Sequence, residues 1–292
     1  MFYQILGIVF PIYAIVLGGF VYGRRHQPDM RFANQLNMDI FVPALVFSAL
    51  TARNAELATY SKLAIGAAVI VLVSGLLAWP LARMLNVSAR TFVPPMMFTN
   101  SGNMGLPLAM LAFGEAALPA AVVMFMVENT MHYAIGTAML DRQTRLWQLW
   151  RVPVIAASIA GLTVSLTGFQ MWEPLRLSIK LVGDISIPLL LFSLGVRLTQ
   201  SAVSQWKLAI IGSVACPLFG VAAALPMIHL LDLPGVQPGM LLVFGALPPA
   251  VLNFVFAEKY NQEPATVASL VMVGNLASLA FVPLALWFAL PK

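Results

Sequence analysis

Glu128 and His132 stand four residues apart with Asn129 beside the acid, so an α-helix brings carboxyl, imidazole and amide close together. An ionisable group at the centre of a membrane helix costs about 2.5–3.5 kcal/mol and therefore calls for a partner or a task. Three readings stand open for the pair: a proton-coupling site, a buried Glu–His hydrogen bond that fixes helix packing, or a direct contact with substrate. A second group of residues is rich in amides and helix breakers. Asn100, Ser101 and Asn103 lead through Gly102 and Gly105 to Pro107, and Pro248 and Pro249 precede Asn253. Proline lacks an N–H and clashes with the carbonyl four residues earlier, while glycine permits unwinding. Both stretches are expected to be interrupted helices whose freed backbone groups and amides hold a polar ligand, the first break falling around residues 100 to 106.

The surrounding chain has 292 residues, 60% hydrophobic and 9% charged, with a mean hydropathy of +0.88. That composition predicts an all-α polytopic membrane protein. At about 20 residues per span there is room for about ten helices and no sizeable aqueous domain. The expected spans are 2–23, 32–51, 61–83, 91–114, 117–140, 152–169, 177–198, 207–231, 237–258 and 264–290. An enzyme is not expected: there is no Ser-His-Asp ordering, nucleophile elbow or glycine-rich phosphate loop, which also argues against an ATP-driven pump. The net charge of +5 does not indicate nucleic acid, because the basic residues fall in loops. The one cysteine, Cys216, reads as a packing residue, and no metal-ligand cluster is visible. No cofactor is expected beyond a coupling ion, H⁺ or Na⁺.

Eleven of the sixteen basic residues (Arg24, Arg25, Arg31, Arg83, Arg90, Arg142, Arg145, Arg151, Arg197, Lys207 and Lys259) follow odd-numbered spans. Arg53, Lys62, Arg176, Lys180 and Lys292 make up the other side. By the positive-inside rule both termini are then periplasmic or extracellular, in a multi-pass protein of the inner (plasma) membrane. Asp39 and Asp184 are expected to cap the N-termini of the second and seventh spans.

The halves repeat. Asp39–Ser48 recurs as Asp184–Ser193, Lys62–Ile65 as Lys207–Ile210, and Pro119 and Val122 as Pro264 and Val267, each at an offset of 145 (184 − 39). Domains of 1–145 and 146–292 follow, each with five spans. An odd number of spans inverts the second copy, giving a 5+5 inverted repeat with broken, crossing fourth and ninth helices. The same offset places Asn103 against Pro248, so both repeats are expected to break at one depth.

The stretch from Asn100 through Met104-Gly105-Leu106-Pro107-Leu108, with Ala246-Leu247-Pro248-Pro249 and Phe254-Val255-Phe256-Ala257-Glu258-Lys259-Tyr260-Asn261, resembles the paired fourth- and ninth-span signatures of the auxin efflux carrier family. The resemblance covers essentially the whole chain. It implies a scaffold of spans one, two, six and seven, a mobile domain of the other six working as an elevator, and a homodimer through spans two and seven. It also implies that Asn100 contacts substrate and that Pro107 is the crossover proline. The chain departs from the plant pattern at Asn253, where a second proline is usual, and at Pro249, where a glutamine is usual. The long hydrophilic loop of plant carriers is replaced by the short connection from Asp141 to Arg151.

The expected function is secondary transport of a small organic anion: an auxin-like acid, a monocarboxylate or a dicarboxylate. Helix N-termini and asparagine amides would supply the donors without a fixed cation. The expected site is Asn100, Ser101, Asn103, Pro107, Pro248, Pro249 and Asn253, with Glu128, His132 and Asn129 as proton-coupling candidates. A sodium-coupled symporter, given a fold similar to the bile acid symporters, and a membrane ligand sensor are the alternatives. Asn100→Ala is expected to abolish most binding while sparing the fold.

Overall fold

A computed structural model describes residues 1–52, 57–141, 146–200 and 203–290, and among these the chain is helical with one isolated β-bridge. Arg53, Arg142, Arg145 and Lys292 lie outside the described residues. The helices are α1 (Phe2–His26), α2 (Arg31–Leu36), α3 (Val42–Leu50), α4 (Ser61–Met84), α5 (Ala89–Met97), α6 (Leu106–Phe113), α7 (Leu118–Met131) and α8 (Thr137–Leu140). They continue with α9 (Pro153–Thr167), α10 (Glu173–Asp184), α11 (Ser186–Gln200), α12 (Trp206–Leu230), α13 (Gln237–Gly245), α14 (Leu252–Lys259) and α15 (Pro264–Ala289).

Among the described residues, five helices are long and apolar enough to cross a bilayer: α1, α4, the Glu173–Thr199 stretch formed by α10 and α11, α12 and α15. The remaining expected spans are not simple rods. The second is α2 and α3 joined by a π-helical turn, Asn37–Phe41, and the fifth is α7 and α8 joined by another, His132–Gly136. The sixth is the shorter α9. The fourth and ninth each divide in two, α5 with α6 and α13 with α14. The widened turns have a local cause at two prolines. Pro43 and Pro107 each fall in the first turn of the α-helix that follows a π turn, where a missing N–H leaves no bond unmade.

Neither aspartate caps a helix. Asp39 lies within the π turn between α2 and α3, and Asp184 ends α10, its carboxylate accepting from Lys180 Nζ at 2.8 Å. The helical path runs on almost without pause through both positions, so there is no open N-terminus for either to cap.

Packing gathers the helices into two groups. α1 lies along α11, and α3 packs on α9 and α10; α4, α5, α13 and α15 gather about α12. Each group contains a backbone-to-backbone contact made possible by glycine. A Cβ on Gly19 would stand 2.1 Å from the Phe192 carbonyl oxygen, and one on Gly195 would stand 1.9 Å from that of Val16, so α1 and α11 tolerate no larger residue there. Gly220 and Gly245 do the same for α12 and α13, at 1.9 and 2.6 Å.

Candidate substrate site

Phe98, directly after α5, is extended (φ −105°, ψ 109°), and the Ala246–Val251 stretch between α13 and α14 is likewise outside any helix. The two pieces pair. Asn100 N–H donates to the Pro248 carbonyl at 2.7 Å and Ala250 N–H to the Phe98 carbonyl at 2.9 Å, forming an antiparallel bridge at Thr99 and Pro249. Backbone groups released by each break are thus satisfied by the other, as burial in an apolar medium demands.

The register differs from the expected one. The bridged residues are 249 − 99 = 150 apart rather than 145, so Asn253, not Pro248, stands where Asn103 does. The second half runs longer from Lys207 to its break than the first does from Lys62, and correspondingly shorter from there to Pro264. The first chain opening also lies earlier than expected, at Phe98–Asn100, with Ser101–Gly105 forming a third π turn.

Glu128 on α7 accepts the Thr99 backbone N–H, and also the Thr99 hydroxyl at 3.0 Å, on Oε1. Its carboxylate is therefore engaged by the first break, not by His132. The imidazole instead stacks on Phe98, with centroids 4.1 Å apart and planes 7° off parallel, and meets Phe256 edge-on at 5.1 Å. Glu128 Oε2, Asn129 Oδ1 and His132 Nε2 are buried with no hydrogen-bond partner among the described residues.

Two further amides tie the breaks together. Asn253 Nδ2 donates to the carbonyls of Phe98 and Ala250, both at 3.0 Å. Asn275 on α15 accepts from Asn100 Nδ2 at 2.8 Å, and its own Nδ2 donates to the carbonyls of Pro249 at 3.0 Å and Val271 at 2.8 Å. Sequence reasoning missed Asn275. The signal was present: Val127-Glu128-Asn129 recurs as Val273-Gly274-Asn275 at an offset of 146 (275 − 129).

A cavity of about 340 Å³ adjoins the bridge. Asn100, Ser101, Gly102 and Asn103 line it from the first break, and Ala250, Val251 and Leu252 from the second. Glu128, Asn129, His132 and Tyr133 form another part of the wall. All three π turns contribute, through Met38, through Ser101 to Asn103, and through His132 and Tyr133. Of the expected site residues, Pro107, Pro248, Pro249 and Asn253 are buried but do not line the cavity. Cys216 is buried behind the second break, its thiol 3.6 Å from the Leu247 carbonyl.

A further wall is a helical face. Leu190, Ser193, Leu194 and Arg197 of α11 line the cavity at the i, i+3, i+4, i+7 spacing of one stripe. Arg197 corrects the expectation of a site without a fixed cation: α11 runs on past it, so it belongs to a helix face and not to a loop. The helical path that begins at Ser101 turns its first-turn N–H groups and the positive end of its dipole toward the break, whereas at the start of α14 the Asn253 and Phe254 N–H groups already donate to the Ala250 and Val251 carbonyls. Amide side chains, the helix start at Ser101 and a guanidinium therefore share a mostly apolar wall.

The chain matches the family described as Membrane transport protein in two stretches, residues 4–148 and 142–288. It is 22% identical to an uncharacterized transporter of Methanocaldococcus jannaschii over 98% of this chain and 99% of that one. It is 25% identical to a putative malonate transporter of Rhizobium meliloti over 96% of this chain and 94% of that one. Auxin efflux carrier component 6 of Arabidopsis thaliana is 29% identical over 58% of this chain, a match spanning only 28% of the plant protein. A polytopic helical chain whose two broken segments meet beside a cavity, and which the family matches in both halves, therefore belongs to the membrane transport protein family, alongside prokaryotic transporters and the auxin efflux carriers.

Proposed function

We propose that this protein is a secondary transporter of a small organic anion, held in the cavity at the paired breaks. The observation that carries the reading is the convergence of the helix start at Ser101 and the Asn100 and Asn103 amides on one cavity of about 340 Å³. Such donors favour a carboxylate over a cation or a neutral solute. Relatives are named as transporters, one of malonate and several of auxin, which supports an organic acid as cargo.

The architecture in this reading is ten spans in a 5+5 inverted repeat, with the broken fourth and ninth crossing at the bilayer midplane. The group of α1, α3, α9, α10 and α11 serves as scaffold, and the group about α12 carries the site past it by an elevator motion, in line with the packing of the two groups. A homodimer through the second and seventh spans is supported by exposed apolar residues there, including Phe32, Ile40, Leu177 and Leu181. Both termini face the periplasm. Coupling is to protons through Glu128, whose unpartnered Oε2 and position in the cavity wall let it communicate with the ligand. Sodium is the second reading, because Glu128 Oε2 and Asn129 Oδ1 are buried oxygens without partners.

Uptake of labelled malonate, propionate and indole-3-acetate into proteoliposomes tests this, under an imposed proton gradient, a sodium gradient or neither. Uptake of at least one acid, driven by the proton gradient, is expected. Uptake driven only by sodium overturns the coupling, and the absence of saturable uptake of any acid overturns the transport reading.

A further inference from the structure

We infer that Arg197 is the specificity residue that reads a second negative charge on the ligand, so that the cavity prefers dicarboxylates to monocarboxylates. This rests on the reading of the cavity as an organic-anion site. A monocarboxylate is already served by the first break, where Asn100, Asn103 and the helix start at Ser101 supply donors. Arg197 adds something those groups lack. Among the described residues that line the cavity it alone carries a permanent positive charge, and it comes from a different element, α11, which packs directly on the Ser101–Gly105 turn.

The guanidinium has no ion-pair partner among the described residues that would neutralise it in place. It lies over the Phe254 ring at 5.3 Å and feels the exposed Glu258 carboxylate at longer range. A ring face holds an arginine while leaving its N–H fork free at the edge. That fork pairs two-pronged with a planar carboxylate. The remaining members of the α11 stripe, Leu190, Ser193 and Leu194, bring no charge, and Ser193 donates its hydroxyl to Asn34. The ligand so described is short, with one carboxylate at the amide-rich break and a second at Arg197.

Calorimetric titration of the full-length protein in nanodiscs with malonate and with its monomethyl ester tests the inference, alongside the variants Arg197→Gln and Arg197→Lys. Wild type is expected to bind malonate more tightly than the ester. Arg197→Gln should lose about 10- to 150-fold in malonate affinity, the equivalent of one charge-assisted hydrogen-bonded pair, with a much smaller change for the ester. Arg197→Lys, which keeps the charge but not the fork, should fall between. A wild type that binds the ester as tightly as malonate, or an Arg197→Gln that keeps the preference, overturns the inference and leaves the organic-anion reading standing. A wild type that binds neither overturns the inference, while the organic-anion reading then stands or falls on the uptake of the other acids. The wild-type comparison stands on its own should a substitution impair folding.

Discussion

The two breaks share a backbone and differ in chemistry. Around the bridge, Thr99 and Pro249 occupy corresponding places, as do Asn103 and Asn253. At the first break Thr99 has an N–H that must find an acceptor, and Glu128 supplies it; at the second, Pro249 has none, and the residue corresponding to Glu128 is Gly274. A Cβ at Gly274 would already lie 2.5 Å from Pro249 Cδ, so proline and glycine fit one another there. Asn103 faces the cavity while Asn253 turns inward and ties the bridge. One strand thus lines the cavity with Asn100, Ser101 and Asn103, and the other lines it with Ala250, Val251 and Leu252 and holds its partner. Backbone symmetry does not require a symmetric site.

Several substitutions sharpen that division. The largest effect on stability is expected from Asn275→Ala, which leaves Asn100 Nδ2 and the Pro249 carbonyl without partners in the protein interior, at about 1–3 kcal/mol for each buried group. A melting temperature equal to wild type would show that the bridge does not depend on this amide. Asn100→Ala should follow. Besides removing a cavity donor it strips Asn275 of its partner, so the fold is not spared as the sequence alone suggested: about 1–3 kcal/mol of stability goes with the affinity. Unfolding by denaturant together with ligand titration separates the two losses.

Glu128→Gln has the smallest expected effect on stability, since an amide oxygen can still accept from Thr99 while the ionisable proton is gone. Proteoliposome uptake measured across pH should lose its dependence on the proton gradient with the melting temperature retained. Uptake that keeps that dependence would reduce Glu128 to a structural acceptor for the first break.

The sequence made the second break legible because proline acts locally, the Pro248-Pro249 pair lying in the non-helical stretch, whereas Gly102, Gly105 and Pro107 lie in the helical path just after the first opening. It concealed what depends on register. The offset of 145 is read from flanking stretches of sequence, yet the breaks pair at 150 because connections of different length enter and leave them. The π turn at His132–Gly136 contains no proline to announce it. Arg197 looked like a loop residue because an arginine at the end of an apolar run usually marks a membrane boundary, whereas α11 continues and turns it onto the cavity. Glu128 and His132 both line the cavity, but their partners at Thr99 and Phe98 come from the broken strand, which no helical spacing reveals.

The central claim is that the breaks divide the work, the first binding the anion and the second supporting it, and Asn103→Ala set against Asn253→Ala tests it most directly. Malonate affinity by calorimetry and melting temperature would be measured for both purified variants in nanodiscs. Asn103→Ala is expected to weaken binding about 10-fold or more, the value of a hydrogen bond to a charged group, with its melting temperature held. Asn253→Ala is expected to lose about 1–3 kcal/mol of stability through the buried Phe98 and Ala250 carbonyls it abandons. The reverse pattern, with Asn103→Ala unstable yet binding normally and Asn253→Ala stable but unable to bind, would contradict the account.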